Sequence, residues 1–191
     1  TNRLYWFGLQ GYEPETAKVF LALAREATVV VDVGAHIGYF TVLASIVNPA
    51  AAVYAFEPVP EVYARLRRNV ALNDLTRVTC EHCAVGRTTG TARLFRGSGC
   101  IPSSSSLSKE FALTHCGSVQ EIEVPIVRLD DYVRQRHITP VDLIKIDTES
   151  TENEVLAGMQ QVLETSRPHI ACEVLPWEDN GAVLEEFLKP L

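Results

Sequence analysis

The chain has 191 residues, of which 47% are hydrophobic, and a formal net charge of −7 from 17 basic and 24 acidic side chains. This length and composition predict a single folded domain over residues 1–191 and argue against disorder. The negative balance disfavours a general affinity for nucleic acid, and no apolar run approaches membrane-spanning length. We therefore expect a soluble, cytoplasmic protein with neither nucleic acid nor membrane as partner; the sequence leaves the oligomeric state open.

The first half of the chain alternates amphipathic helices with buried strands. Apolar residues recur at helical spacing behind Pro14, which predicts an N-terminal helix ending near Arg25 within a region that covers 1–26. Continuously apolar or β-branched runs follow, as expected of parallel strands covered on both faces. The predicted strands cover residues 28–33, 52–56 and 78–83, and the predicted helices cover 39–47 and 60–73.

Residues 85–140 interrupt this alternation. Segments 91–96 and 121–127 predict a short antiparallel pair, and the glycine- and serine-rich tract between them predicts either a flexible loop or a lid over the site. The alternation then resumes with strands at 141–146 and 169–174 and a last helix at 181–189. One helix is predicted between these strands from an apolar stripe formed by Val155, Leu156, Met159, Val162 and Leu163.

Strands and helices in this order predict an α/β, Rossmann-like fold. Right-handed crossovers give a mostly parallel sheet with helices on both faces and a β-hairpin and loop insertion after the third strand. Ligands of such sheets bind beyond the carboxyl ends of the strands, near the point where strand order reverses. Functional residues are therefore expected directly after the strand ends.

The five cysteines bear on redox state and metal binding. Their odd number, in a sequence whose first residues lack a signal-peptide pattern, favours reduced thiols. Cys80 and Cys83 form a C-x-x-C pair around His82, which makes zinc an alternative. Both lie in a run that reads as one strand, where alternation would send the thiols to opposite faces, so buried free cysteine is preferred.

The turn "VDVGAHIGYF" after the first strand combines backbone amides with a negative charge. A dinucleotide loop would need G-x-G-x-x-G, but this loop has only Gly34 and Gly38, with His36 at the central position. Asp32 would also repel a diphosphate, by roughly 4 kcal/mol at about 4 Å and a dielectric of about 20. S-adenosyl-L-methionine fits better because its sulfonium and ammonium are positive and its carboxylate could meet the loop amides at a helix start. A structural cap or salt bridge is the alternative role of Asp32.

Residues after the next strand ends extend the predicted cofactor site. Glu57 ends the second strand 57 − 34 = 23 residues after the first loop glycine, where a carboxylate can accept hydrogen bonds from both ribose hydroxyls. Dinucleotide enzymes share this spacing, and a surface strand end is the alternative. Pro58 follows Glu57 in the predicted site, and the adenine is expected beside Cys83 and Ala84.

Four segments in order resemble the FkbM-type methyltransferases, a family of S-adenosylmethionine-dependent enzymes, over residues 27–174. They read "VDVGAHIGYFTVLAS", "YAFEPVPEVYARLRRNVALN", "VPIVRLDDYV" and "VDLIKIDTESTENEVLAGM". The resemblance implies a class I methyltransferase fold and, usually, O-methylation of a small-molecule or sugar hydroxyl. It also implies that the cofactor is held by Asp32, Gly34, Ala35, His36, Gly38 and Glu57.

Methyl transfer depends on alignment, and a hydroxyl acceptor also needs a base to take its proton. Alternation places Lys145 and Asp147 on the same side of their strand, and Glu149 follows on the turn. We hypothesise that Asp147 lies beside the methionine moiety or the acceptor hydroxyl and that Glu149 orients the acceptor. Capping of the next helix is the structural alternative for both carboxylates; a metal between them lacks an obvious third ligand. Glu173 is a lesser candidate.

Two departures from the family pattern bear on activity. Where the family reads D-x-E-G-x-E, this chain has Ser150 in place of glycine, and a positive φ there would cost on the order of 1 to 2 kcal/mol. The closing strand pair of the fold is not recognised before Leu191. Two rival functions remain: a non-catalytic cofactor-binding module and an NAD-dependent oxidoreductase. The sequence does not identify the acceptor.

Overall fold

The computed structural model describes residues 11–97, 105–115, 119–174, 181 and 185. The strands are β1 (Val29–Val33), β2 (Ala52–Phe56), β3 (Val78–Glu81), β4 (Ala84–Val85), β5 (Gly90–Gly97), β6 (Val119–Val127), β7 (Leu143–Ile146) and β8 (His169–Cys172). The helices are α1 (Pro14–Ala24), α2 (Tyr39–Val47), α3 (Pro60–Leu72), α4 (Lys109–His115), α5 (Leu129–Gln135), α6 (Glu152–Ala157) and α7 (Gln160–Ser166).

The central sheet is five-stranded and parallel, in the order β3-β2-β1-β7-β8. Strand β1 is buried on both faces: Val30 packs in the cluster that contains α1 and α2, and Val31 and Val33 pack in the cluster of the opposite face. This arrangement confirms the predicted Rossmann-like fold. Strand order reverses between β1 and β7, so their carboxyl ends form the predicted crevice.

Side-chain hydrogen bonds set the register of β1 against β7. The Oδ2 atom of Asp142 accepts hydrogen bonds from the N–H groups of Thr28 and Val29, at 2.7 and 2.9 Å. At the other end of the strands, the N–H of Asp147 donates to the carbonyl of Val33 at 3.1 Å. The residues that follow β1 and β7 are therefore held side by side.

The insertion forms a second, three-stranded sheet in the order β4-β6-β5. Its antiparallel β5–β6 pair confirms the predicted hairpin. Leu94 and Val124 of this sheet pack against Val59 and Val62 at the start of α3. The insertion thus covers the carboxyl end of β2.

Three predicted details differ from the structure. The helix predicted across residues 155–163 is two helices, α6 and α7, separated at Gly158, where a Cβ would lie 2.0 Å from the carbonyl oxygen of Gly86. The third strand ends at Glu81, so Cys83 lies beyond it and the alternation argument about its thiol was wrong. The short elements β4, α4 and α5 were not predicted.

Three further sequence predictions can be compared with the described residues only. The predicted helix at 181–189 lies largely outside it, although residues 181 and 185 are helical. Cys80, Cys83 and Cys172 are free thiols, and the described residues contain no group of three or more His, Cys, Asp or Glu side chains arranged to hold a metal. No described helix has the length and apolar character required to cross a bilayer.

Candidate active site

A cavity of about 350 Å³ lies at the carboxyl ends of β1, β2 and β7. Its walls include the loops that follow these strands, the start of α2, and residues 105–107 of the insertion. Two predicted site residues, Asp32 and Gly38, do not line it. The predicted residues that line it are Gly34, Ala35, His36, Glu57, Pro58, Cys83, Ala84, Lys145, Asp147 and Glu149.

The glycine loop is hydrogen-bonded to the end of β2. The N–H groups of Gly34 and Ala35 donate to the carbonyl of Phe56 at 3.1 and 2.9 Å, and the N–H of Gly38 donates to the carbonyl of Ala35 at 2.8 Å. The amides of Gly34, Ala35 and Gly38 therefore donate within the protein. The positive φ angles of Gly34 (75°) and Gly38 (89°) serve the turn itself.

Glu57 connects the glycine loop to the start of α3. Its Oε2 atom accepts a hydrogen bond from the N–H of His36 at 2.9 Å, and its Oε1 atom accepts one from the N–H of Val59 at 2.8 Å. Burial raises the pKa of Glu57 to about 7, although these two hydrogen bonds oppose the shift. Each carboxyl oxygen keeps a second lone pair, so the group can still accept from a ribose diol in the cavity.

Asp32 lies beneath the cavity rather than in it. Only 1% of its surface is exposed, and its Oδ2 atom accepts a hydrogen bond from the Thr41 hydroxyl at 2.6 Å. Its Oδ1 atom is buried without a hydrogen-bond partner in the described part of the chain. Burial raises the pKa of Asp32, and the positive charge of Lys145 opposes this shift. Asp32 is therefore held within the protein by Thr41 of α2 and does not meet the cavity directly.

Buried Lys145 and partly buried Asp147 form an ion pair beside Asp32. The Nζ atom of Lys145 donates to the Oδ2 atom of Asp147 at 2.7 Å and lies 4.9 Å from the centre of the Phe40 ring. Burial lowers the pKa of Lys145, but the charges of Asp147 and Asp32 outweigh it and the net shift is upward. The two side chains share one side of the strand, as the alternation predicted.

The loop after β7 is held from two sides. The Oε1 atom of Glu152 accepts hydrogen bonds from the N–H and hydroxyl of Thr148, at 2.9 and 3.0 Å, and the hydroxyl of Ser106 donates to the carbonyl of Glu149. Burial raises the pKa of Glu149 to about 7, and the negative charges of Asp147 and Glu152 add to the effect. This loop therefore presents a carboxyl group that changes charge near neutral pH.

Replacing Ser150 with glycine should stabilise the protein by about 1 kcal/mol, because Ser150 has a φ of 82° that costs a residue with a Cβ about 1 to 2 kcal/mol. Glycine gives back part of that gain as backbone entropy in the unfolded chain. Urea unfolding of the two proteins at the same pH measures the difference. A less stable Ser150→Gly protein would mean that contacts of the serine outweigh the strain.

Several lining residues were not predicted from sequence. Tyr12 lies at the cavity and packs edge-on against Tyr39, with ring centres 5.3 Å apart. Leu94 of β5 and residues 105–107 add a wall from the insertion. Only the interpretation of the serine-rich tract as a lid anticipated this wall; no sequence signal marked Tyr12 or Leu94.

Burial raises the pKa of the Cys83 thiol to about 12, so this predicted residue offers the cavity an uncharged surface.

The strand order, the glycine turn after β1 and the acidic residues after β2 and β7 define a class I methyltransferase fold. The family model of the methyltransferase FkbM domain matches residues 32–189, and the chain belongs to this family. A solved structure of the methyltransferase FkbM from Methylobacillus flagellatus has the same fold, with a TM-score of 0.59 and 18% identity over 85% of this chain and 37% of that one.

Two relatives give the extent of the similarity. The 31-O-demethyl-FK506 methyltransferase FkbM of Streptomyces tacrolimicus is 32% identical over 159 residues, which cover 71% of this chain and 61% of the relative. Methyltransferase sdnD of Sordaria araneosa is 30% identical over 177 residues, which cover 80% of this chain and 67% of the relative. The chain thus spans about two thirds of the length of these relatives.

Proposed function

We propose that this chain transfers a methyl group from S-adenosyl-L-methionine to a hydroxyl group of a small molecule or sugar. The observation that carries the proposal is that one cavity joins the Glu57 carboxyl group, at the end of β2, to the Lys145–Asp147 pair and Glu149 at the end of β7. The name of the 32% identical relative, a 31-O-demethyl-FK506 methyltransferase, supports oxygen as the methylated atom.

The chemical character of the lining favours this cofactor over a dinucleotide. The amides of Gly34, Ala35 and Gly38 donate within the protein, so they do not offer a phosphate cradle. Among the described residues, the only lysine or arginine that lines the cavity is Lys145, and it is paired with Asp147. A diphosphate would meet uncompensated negative charge, whereas a sulfonium and an ammonium would be attracted by it.

The residues present fit the parts of S-adenosyl-L-methionine. Glu57 would accept hydrogen bonds from the ribose hydroxyls, and neutral surfaces at Cys83, Ala84 and Val59 would contact the adenine. Asp147, oriented by Lys145, would lie at the methionine end. When bound, the cofactor supplies a methyl group on a positively charged sulfur, which is open to attack by an oxygen nucleophile.

The protein's own part is to align the acceptor and to take its proton. Both carboxylates line the cavity, but Glu149 is the better placed base, because Oδ2 of Asp147 already accepts a hydrogen bond from Lys145. Its pKa of about 7 suits a base that works near neutral pH. This assignment changes the orienting role that the sequence suggested for Glu149.

Titration calorimetry with S-adenosylhomocysteine and with NAD, followed by transfer from a labelled methyl donor to a panel of sugars, polyketides and phenols, tests the function. We expect binding of the sulfur compound alone and labelled product from at least one acceptor. Binding of NAD alone would support an oxidoreductase. Cofactor binding without any labelled product would support a non-catalytic module.

The Glu149→Gln protein should lose about 100-fold in turnover, since general base catalysis contributes about 10² to 10⁴. In the unchanged protein, turnover should rise with pH through about 7 as Glu149 loses its proton. The raised pKa also makes the folded state bind more protons than the unfolded chain, so Glu149 adds stability at low pH that is lost as pH rises through about 7. Rate profiles and melting curves from pH 5 to 9 measure both effects, and an unchanged profile in Glu149→Gln would exclude Glu149 as the base.

A further inference from the structure

The insertion contributes a wall to the cavity through residues 105–107. The N–H and carbonyl of Ser106 pair with the carbonyl and N–H of Phe95 in β5, at 3.0 and 2.8 Å. The Ser106 side chain is 1% exposed; its hydroxyl donates to the carbonyl of Glu149 and accepts from the N–H of Ser108 at 2.9 Å. The 105–107 segment is therefore fixed both to the second sheet and to the loop after β7.

Leu107 lies in the part of this wall that faces the Glu57 end of the cavity. Antiparallel pairing at Phe95 places Leu107 beside Leu94, and both leucines line the cavity. They share one apolar cluster with Val59 and Ala84, which also line it. This is the end at which Glu57 presents its carboxyl group, and an apolar surface there suits the flat face of a purine.

Ser105 adds a polar group to the same wall. Its Oγ atom is buried, lines the cavity, and has no hydrogen-bond partner within the described part of the chain. Buried hydroxyl groups nearly always have a partner, and each exception needs an explanation. A ligand in the cavity that presents a hydrogen-bonding group to this wall would satisfy the hydroxyl.

We infer that residues 105–107 form the outer wall of the nucleoside subsite, with the Leu107 side chain against the purine and the Ser105 hydroxyl hydrogen-bonded to the nucleoside. The inference rests on the proposed cofactor and assigns to its binding a segment outside the strand-end loops. Ser106 is a positioning residue that holds this wall on the Glu149 loop.

Calorimetric titration of S-adenosylhomocysteine and of 5′-methylthioadenosine, which lacks the amino-acid half, tests this wall. Leu107→Ala should weaken both ligands by about tenfold, and Ser105→Ala should weaken both by roughly fivefold. The melting temperature of ligand-free Ser105→Ala should stay unchanged, because its hydroxyl makes no hydrogen bond in the described chain. If Ser105 had only a structural role, its replacement would not weaken both ligands while leaving the melting temperature unchanged.

Controls come from the same insertion. Leu113→Ala removes an exposed leucine from α4, and Ser108→Ala removes a hydroxyl that accepts from the N–H of Phe111 at 3.3 Å; neither residue lines the cavity, so both variants should bind both ligands normally. Unchanged affinities in Ser105→Ala and Leu107→Ala, or losses confined to S-adenosylhomocysteine, would overturn the inference. Failure of the unsubstituted protein to bind S-adenosylhomocysteine would instead reject the proposed function itself.

Discussion

The Gly34→Ala protein is expected to be less stable by about 4 kcal/mol and to lose measurable binding of S-adenosylhomocysteine. A Cβ on Gly34 would lie 1.8 Å from the carbonyl oxygen and 2.8 Å from the carbonyl carbon of Asp147. These are backbone atoms at the end of β7, which cannot move without separating β7 from β1. The φ of 75° adds a conformational cost of about 1 to 2 kcal/mol. Urea unfolding followed by circular dichroism, together with calorimetry, measures both losses.

Gly90→Ala is the matched control for this substitution. Gly90 also has a positive φ, 154°, but nothing lies within 4 Å of the position of its Cβ. The free energy of unfolding of this variant should fall only by the conformational cost, about 1 to 2 kcal/mol. The variant should bind S-adenosylhomocysteine normally because Gly90 does not line the cavity. Equal losses of stability in Gly34→Ala and Gly90→Ala would show that a clash with Asp147 does not destabilise Gly34→Ala.

The central sheet could be predicted because its cause is local in sequence. Runs such as Ala52–Phe56 are apolar on both faces, which is typical of a strand covered by helices on each side. The break between α6 and α7 could not be predicted, because the apolar stripe continues across Gly158 and the close packing of Gly158 against the backbone of Gly86 involves a segment distant in sequence. Helix α5 was not predicted; its Asp130 is buried and accepts a hydrogen bond from the N–H of Val162 at 3.0 Å, a partner distant in sequence.

The site could be predicted where strand geometry alone determines position. Parallel strands bring their carboxyl ends to one edge, so Glu57 and Asp147 were expected to line one crevice. Alternation could not say that the face carrying Asp32 would be closed by Thr41, and so the charge of Asp32 was assigned to the crevice itself. The amides of Gly34 and Ala35 donate to the carbonyl of Phe56 at the end of β2. This partner is distant in sequence, so the pairing could not be predicted. Ser105 lies in a tract without periodicity, and its position is set by the contacts of the neighbouring Ser106 with β5 and with the loop after β7.

Replacing Lys145 with methionine is expected to lower the free energy of unfolding by about 3 to 5 kcal/mol at pH 7, the usual cost of leaving a buried carboxylate, here Asp32, without its cation. Lys145 is 6% exposed and is the cation beside both Asp147 and the fully buried Asp32. Without it, the pKa of Asp32, already raised by burial, should rise further. The folded variant would then hold a proton that the unfolded chain releases, so its stability should fall as pH increases through that raised pKa.

Lys109→Met is the control for Lys145→Met. Both lysines lie near an aromatic ring, but only Lys145 is buried, so the comparison isolates the effect of removing a buried charge. Lys109 is exposed and lies 6.0 Å from the centre of the Phe95 ring, so its replacement should cost less than about 0.5 kcal/mol. Adding Asp32→Asn to Lys145→Met should recover part of the lost stability, because one uncompensated buried carboxylate is then removed. Urea unfolding at pH 5 and pH 8 measures all four proteins. If Lys145→Met were as mild as Lys109→Met, or if Asp32→Asn made it less stable at pH 8, Lys145 would not be the counter-ion of Asp32 and Asp147 at the base of the cavity.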